Sequence, residues 1–81
     1  MEYTFENGLG ASVIDDGYGG RSGLFEIALL KDGSVVYNEA LGFKYDVKGW
    51  LNADEVSKIL TEISEFDTTN NTFSLNPIWD D

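Results

Sequence analysis

Two glycine-containing turn signals organise the first half of this chain. Asn7-Gly8 and Asp32-Gly33 each separate two runs of residues in which apolar and polar side chains alternate. Pairs of this kind favour the tight turns of β-hairpins, because glycine accepts the positive φ that such turns need and Asn and Asp tolerate it. The sequence therefore predicts two antiparallel hairpins.

The alternation also predicts the register of each hairpin. A three-residue loop, with a type I turn and the glycine as a left-handed bulge residue, places like side chains on like faces. In the first hairpin, one face then carries Tyr3, Phe5, Leu9, Ala11 and Val13. In the second, one face carries Phe25, Ile27, Leu29, Val35 and Tyr37, and the other carries Glu26, Ala28, Leu30, Val36 and Asn38.

The clearest helical pattern follows these hairpins. Asn52 is a good N-cap, and Glu55 stands three residues later, as in a capping box. One helical face carries Val56, Ile59, Leu60, Ile63 and Phe66, and the opposite face carries Asp54, Glu55, Lys58, Glu62 and Glu65. We predict a helix from about Ala53 to Phe66 that packs on one face of an antiparallel sheet of about four strands. The fold class is α+β, with residues 1–81 as a single small domain.

The segments between these elements carry weaker signals. The glycine-rich residues 17–23 predict a loop, and the aromatic residues 42–50 leave room for a short strand. Trp50, just ahead of the N-cap, predicts a side chain packed under the helix. Residues 72–81 are too apolar for a free tail, so they either pack back as a closing strand or dock on a partner.

Composition argues against most chemistry. Fifteen Asp and Glu stand against five Lys and Arg, a net charge of −10, and the chain has no His and no Cys. The usual general base, the thiol nucleophile and the soft metal ligands are therefore absent. Adjacent carboxylates in loops do not form the spaced pair that acid–base catalysis needs. We predict that the chain is not an enzyme and has no catalytic residue, cofactor or metal site.

The same charge predicts the kind of partner. It disfavours nucleic acid and anionic lipid, and it favours a basic protein surface, of the sort that usually holds nucleic acid. Carboxylates near a helix C-terminus oppose the helix dipole. Such carboxylates either belong to a face exposed to solvent or contact a partner. Trp79 is the candidate aromatic anchor. The candidate partner-binding residues are Asp15, Asp16, Glu62, Glu65, Asp67, Trp79, Asp80 and Asp81.

In general character the chain resembles small phage-encoded anti-defence proteins, anti-CRISPR proteins among them: short, acidic, free of Cys and without a catalytic motif. The segment Tyr3-Thr4-Phe5-Glu6-Asn7-Gly8-Leu9-Gly10-Ala11-Ser12-Val13 is also similar to small phage proteins. This resemblance implies an inhibitor that acts as a DNA mimic on a CRISPR effector or another nucleic-acid-binding host protein.

Two further expectations concern location and the competing function. The chain opens without a basic start or an apolar run, so we expect no signal peptide and a cytoplasmic location, in the bacterial host if the protein is phage-encoded. The alternative function is a small phage or bacterial interaction module that binds a partner or self-associates, unrelated to nucleic-acid competition. A contiguous strip that includes Glu62, Glu65 and Asp67 would favour mimicry, and scattered carboxylates would favour the module.

Overall fold

A computed structural model describes residues 1–15, 24–44 and 48–76 of the chain. The described residues form an antiparallel sheet with one helix packed against it, so the predicted α+β fold class is confirmed. The elements are β1 (Glu2–Thr4), β2 (Leu9–Ile14), β3 (Phe25–Lys31), β4 (Ser34–Val35), β5 (Lys48–Leu51) and α1 (Ala53–Ser64). The glycine-rich loop predicted at residues 17–23 lies outside the described residues.

The sheet is built around β3. The strands follow the order β1-β2-β3-β4, and β5 also pairs with β3. Ile27 pairs with Val13 of β2 and with Lys48 of β5, so β5 lies on the side of β3 that faces away from β2. Since β4 pairs with Leu30 and Lys31 farther along β3, β4 and β5 share that side of the strand.

The first hairpin has the predicted register. Tyr3 pairs with Ala11, and the Phe5 backbone N–H donates to the Leu9 carbonyl oxygen at 2.8 Å, so the loop has three residues. Gly8 closes the turn by donating to the Phe5 carbonyl oxygen, and its φ of 90° lies in the left-handed region that glycine enters without steric cost.

The predicted register of the second hairpin is wrong. Leu30 pairs with Val35, which leaves a two-residue loop, and both loop residues have positive φ, 53° at Asp32 and 81° at Gly33. Positive φ at both positions is what the two-residue type I′ turn requires, and Asp-Gly meets that requirement. Val36 is consequently in the core with 4% of its surface exposed, whereas Val35 is 42% exposed.

The prediction failed because a polar residue occupies a core position. Asn38 is 4% exposed, on the same side as Val36. Its side-chain Nδ2 donates to the Thr72 carbonyl oxygen at 2.9 Å, and its Oδ1 accepts from the Leu41 backbone N–H at 3.0 Å. These bonds satisfy the buried amide, which is the condition for a polar group to lie inside a fold. The alternation of polar and apolar residues therefore assigned Val35, instead of Val36, to the core face.

The helix begins as predicted and ends two residues early. The capping box is present: the Glu55 backbone N–H donates to Asn52 Oδ1 at 2.8 Å, and the Asn52 N–H donates to Glu55 Oε1 at 3.0 Å. The core lies between the helix and one face of the sheet. Its buried apolar residues are Leu9, Ala11, Val13, Ile27, Leu29, Val36, Phe43, Val56, Ile59 and Ile63.

The end of α1 is held by a residue from the first hairpin. The side-chain Nδ2 of Asn7 donates to the carbonyl oxygens of Ile63, Ser64 and Phe66, at 2.7, 3.3 and 3.1 Å. The last carbonyl groups of a helix have no partner within the helix, and Asn7 supplies one from more than fifty residues away. Asn7 Oδ1 also accepts from the Leu9 N–H at 3.0 Å, which fixes the amide in its own turn.

The chain after the helix folds back on the domain. Tyr37 and Ser74 exchange backbone hydrogen bonds at 2.8 and 3.0 Å, and Phe73 packs against the core. Phe66 and Phe73 meet edge to face with ring centroids 6.1 Å apart. Of the two alternatives for residues 72–81, packing on the domain is confirmed for Phe73 and Ser74, whereas Leu75 is 69% exposed and residues 77–81 lie outside the described residues.

A pair of valine substitutions tests the two-residue loop. Val36→Ala should lower the free energy of unfolding by about 2 kcal/mol or more, because it removes two buried methyl groups and leaves a cavity. Val35→Ala should change it by less than about 0.5 kcal/mol. Urea unfolding of both variants gives the comparison, and a larger cost at Val35 would restore the three-residue register.

A second pair tests the contact between the hairpin and the helix end. Asn7→Ala should lower the free energy of unfolding by about 1–3 kcal/mol, because the Ser64 and Phe66 carbonyl oxygens lose the Asn7 donor and the Ile63 carbonyl oxygen keeps only a backbone donor. The matched control is Asn70→Ala, which removes an exposed amide 3.5 Å from Asp67 Oδ2 and should cost less than about 0.5 kcal/mol. Equal costs in urea unfolding would show that Asn7 has no special role.

Candidate functional site

Four exposed carboxylates lie around the C-terminal end of α1. Glu62 and Glu65 lie one helical turn apart on α1 and its C-cap, and Asp67 follows two residues later. Glu6 precedes Asn7, whose side chain bonds the last carbonyls of the helix, and Thr68 Oγ1 lies 3.5 Å from the Asn7 carbonyl oxygen. We call these four residues, Glu6, Glu62, Glu65 and Asp67, the acidic end.

The carboxylates of the acidic end lie at the end of the helix where negative charge is least favourable. The C-terminus of a helix dipole is already negative, and the last turn of α1 contains no basic residue. Asp67 Oδ1 accepts from the Thr69 backbone N–H at 2.9 Å, which lowers the pKa of that carboxyl, and the Asn70 side chain adds a weaker bond. These bonds favour the ionised form of Asp67 and also shape the turn that follows the helix.

The described lysines form no ion pair with this end, although Lys58 lies one turn before Glu62 on α1. Two ion pairs occur in the part of the chain that the structure describes, and neither includes one of the four carboxylates: Lys31 Nζ lies 3.4 Å from Asp32, and Lys44 Nζ lies 3.5 Å from Glu39. Lys48 Nζ stands 5.2 Å above the Phe43 ring. The acidic end is thus a local concentration of negative charge exposed to solvent.

Of the other predicted partner-binding residues, Asp15 is the one that the structure describes, and it does not join this group. Asp15 is exposed just beyond the end of β2, whereas the acidic end lies beside the loop that precedes β2. Asp16, Trp79, Asp80 and Asp81 lie outside the described residues. The structure therefore brings together three predicted residues, Glu62, Glu65 and Asp67, and adds Glu6. No local signal relates residue 6 to the helix, because the relation depends on the tertiary contact of Asn7.

Trp50 is a candidate that the sequence reasoning missed. The prediction that it packs under the helix is wrong, because 66% of its surface is exposed. It lies in β5 where the register with β3 shifts, and its φ of 59° is in the left-handed region. That conformation costs a bulky residue roughly 1–2 kcal/mol. Gly49 was the available signal, since a glycine within a strand is typical of a bulge.

A groove of about 650 Å³ opens on the side of α1 near its N-terminus. Its floor includes Val13 and Val56, both buried, and Ile14 stands at its edge with 48% exposure. The Tyr3 hydroxyl lies 2.8 Å from Met1 Sδ, so these two side chains form one wall. The lining residues are Met1, Tyr3, Val13, Ile14, Asp15, Phe25, Ala53, Val56, Ser57 and Leu60.

The described residues contain neither a metal-binding cluster nor a helix that could span a membrane. Within residues 1–15, 24–44 and 48–76, no three acidic side chains converge in a way that would hold a metal ion. Nor does any helix in these ranges have the length and apolar character needed to cross a membrane. None of the protein-family models, curated proteins or solved structures compared with the chain matches it.

A pair of substitutions tests the conformation of Trp50. Trp50→Gly and Trp50→Ala remove the same indole, but only glycine adopts positive φ without cost, so the glycine variant should be more stable by about 1 kcal/mol. At Ser12, an extended position within β2, the order should reverse, because glycine weakens a strand interior. Thermal and urea unfolding of the four variants measures both differences. An alanine variant as stable as the glycine variant at position 50 would contradict the left-handed conformation.

Proposed function

We propose that this chain is a non-enzymatic protein-binding inhibitor whose acidic end meets a basic surface on its partner. On a partner that uses that surface to hold nucleic acid, the acidic end competes with the phosphates. Anti-defence proteins of phages, with anti-CRISPR proteins as the named example, are the class of inhibitor that this proposal favours, and a CRISPR effector or another nucleic-acid-binding protein is the class of partner.

The observation that carries the proposal is the acidic end itself. Glu62 and Glu65 oppose the helix dipole, and the hairpin contact made by Asn7 adds Glu6 to the same end. The arrangement is unfavourable for folding, since like charges repel and no described lysine forms an ion pair with them. A basic partner surface would attract these carboxylates and so offset their mutual repulsion.

Electrostatics also suggests how such an inhibitor would work. Duplex DNA presents about one negative charge per 1.7 Å of helix axis, so proteins that bind it expose dense Lys and Arg. A domain with a net charge of −10 would be steered to such a surface rapidly at low salt. Trp50, exposed ahead of the N-terminus of α1, is a separate candidate contact, because exposed Trp side chains are frequent hot spots in interfaces.

A second function is favoured by a different observation. The apolar groove beside the first half of α1 is independent of the acidic end, and it suits an interaction module that binds a partner without competing with nucleic acid. Salt distinguishes the two functions, because an apolar contact survives high ionic strength whereas attraction between surface charges is screened.

Charge reversal at the acidic end tests the proposal. Glu62→Lys with Glu65→Lys should weaken partner binding about 100-fold, because two attractive contacts become repulsive. The control is Glu2→Lys with Glu39→Lys, two exposed carboxylates elsewhere, which changes the net charge by the same amount. A folded reversal variant that binds as tightly as the control would overturn the role of the acidic end.

The partner for that measurement comes from a pull-down. The tagged full chain is incubated with bacterial lysate at low salt and then washed with either high salt or duplex DNA. Release of a nucleic-acid-binding protein by both washes supports competition. A partner that resists both washes, or self-association alone, would replace the inhibitor with the interaction module.

A further inference from the structure

The turn pair Asn7-Gly8 is chemically labile. An asparagine that precedes glycine loses its side-chain amide more readily than other asparagines, because glycine has no side chain to hinder attack by its backbone nitrogen. Asn7 is the one asparagine of the chain that a glycine follows. It is also the residue whose amide group donates to the end of α1. The most reactive amide of the sequence therefore makes a tertiary contact.

We propose that Asn7 is a site of spontaneous deamidation, that the folded hairpin suppresses the reaction, and that the product releases the end of α1 from the β1–β2 loop. The reaction begins when the Gly8 nitrogen attacks Asn7 Cγ. A bond forms between these two atoms and the Cγ–Nδ2 bond breaks. The proton of the Gly8 N–H leaves with the Nδ2 group as ammonia, and a cyclic succinimide remains.

Water then opens the succinimide at either of its two carbonyl groups. Cleavage of the new bond between Cγ and the Gly8 nitrogen leaves an aspartate at position 7. Cleavage of the original peptide bond leaves an isoaspartate, in which the main chain runs through Cβ and Cγ. One water molecule enters and one ammonia leaves in both cases, with no oxidation or reduction, so solvent is the only co-reactant.

Hydrogen bonds of the folded hairpin hold both reacting groups. Asn7 Nδ2 donates to three carbonyl oxygens at the end of α1, and Asn7 Oδ1 accepts from the Leu9 N–H at 3.0 Å. The attacking nitrogen is also engaged, since the Gly8 N–H donates to the Phe5 carbonyl oxygen at 3.1 Å. Turning the amide towards Gly8 breaks these bonds, so the reaction requires the loop and the helix end to separate first.

Deamidation removes the support of the helix end. An ionised carboxylate has no proton to donate, so the Ser64 and Phe66 carbonyl oxygens lose the Asn7 donor. Oxygen atoms would then face each other at distances that hydrogen bonds now occupy. An isoaspartate also lengthens the main chain within the three-residue loop that the bond from the Phe5 N–H closes. Either product therefore favours separation of the loop from α1.

The new negative charge acts in the same direction. It would lie beside Glu6 on the loop that contacts the acidic end, where no described lysine forms an ion pair. Like charges repel, so the product is less stable than the loss of a donor alone would make it. This inference does not rest on the proposed function, because neither the reaction nor its effect on stability involves a partner.

Ageing of the full-length chain tests the site. Folded chain and chain in concentrated urea are kept in the same mildly alkaline buffer, and digested peptides are examined by mass spectrometry for the gain of about 1 Da that deamidation causes. In urea, Asn7 should react at least about ten-fold faster than Asn70, which precedes another asparagine. Asn7 should react at least about ten-fold more slowly in the folded chain than in urea.

A substitution at the neighbouring position tests the chemistry. Gly8→Ala should slow the reaction of Asn7 about ten-fold in urea, because a Cβ hinders approach of the nitrogen. The comparison is made in urea because the φ of 90° at Gly8 would strain an alanine in the folded loop.

The effect on the fold is measured by urea unfolding in neutral buffer. Both the aged chain and Asn7→Asp, which reproduces one product directly, should have a folding equilibrium constant about ten-fold or more below that of the fresh chain. The control Asn70→Asp adds the same charge beside Asp67 without removing a donor from the helix end, and should lower the constant by less than about three-fold.

Each part of the proposal has an outcome that would overturn it. Equal rates at Asn7 and Asn70 in urea, or an unchanged rate in Gly8→Ala, would exclude succinimide formation at this pair. Equal rates in the folded and unfolded chain would show that the hairpin does not suppress the reaction. An aged chain as stable as the fresh one would exclude release of the helix end. Failure of the acidic end to bind a partner would change none of these results.

Discussion

Asn7 lies at the tip of the first hairpin, and its side-chain amide donates to carbonyl oxygens in the last turn of α1 and just beyond it. The helix ends without a glycine and without a basic residue in its last turn, so its own sequence provides little to stabilise this end. One side chain from the β1–β2 loop therefore supports the end of the helix. The other end of α1 follows directly from β5, so both ends of the helix are connected to the sheet, and the apolar groove lies beside its N-terminal half.

The unfavourable charges and this contact lie in the same place, which links stability to the proposed function. At the start of α1, Asp54 and Glu55 complement the helix dipole, as acidic residues in a first turn do. At the end, Glu62 and Glu65 oppose it. A helix terminus destabilised by its own side chains persists here because a tertiary hydrogen bond holds it. Lysine at these positions would complement the dipole, and the basic surface of the proposed partner would do the same from outside the domain.

Local signals predicted those parts of the structure that depend on neighbouring residues. The three-residue loop at Gly8 and the capping box of Asn52 and Glu55 each involve a few consecutive residues, and both are present. The second hairpin was misread because Asn38 is buried through bonds to residues distant in the sequence, which no alternation pattern reveals. The sequence patterns also did not predict that Glu6 lies at the acidic end or that Trp50 is exposed. A tertiary contact and a bulge determine these two positions. Hydrophobic patterning predicted that a helix packs on one face of a sheet. It did not predict the buried Asn38 or the exposed Trp50.

Two short strands, β4 and β5, pair with the edge of β3 that faces away from β2. Their shortness affects how copies of the chain can associate at high concentration. β4 has two residues and β5 has four with an irregular register, so neither presents a long, regular row of free backbone groups. β1, at the other margin, has three residues. Margins this short and interrupted are poor templates for strand addition, which is the first step of ordered aggregation. A domain that exposes apolar and aromatic side chains would thereby resist forming fibrils.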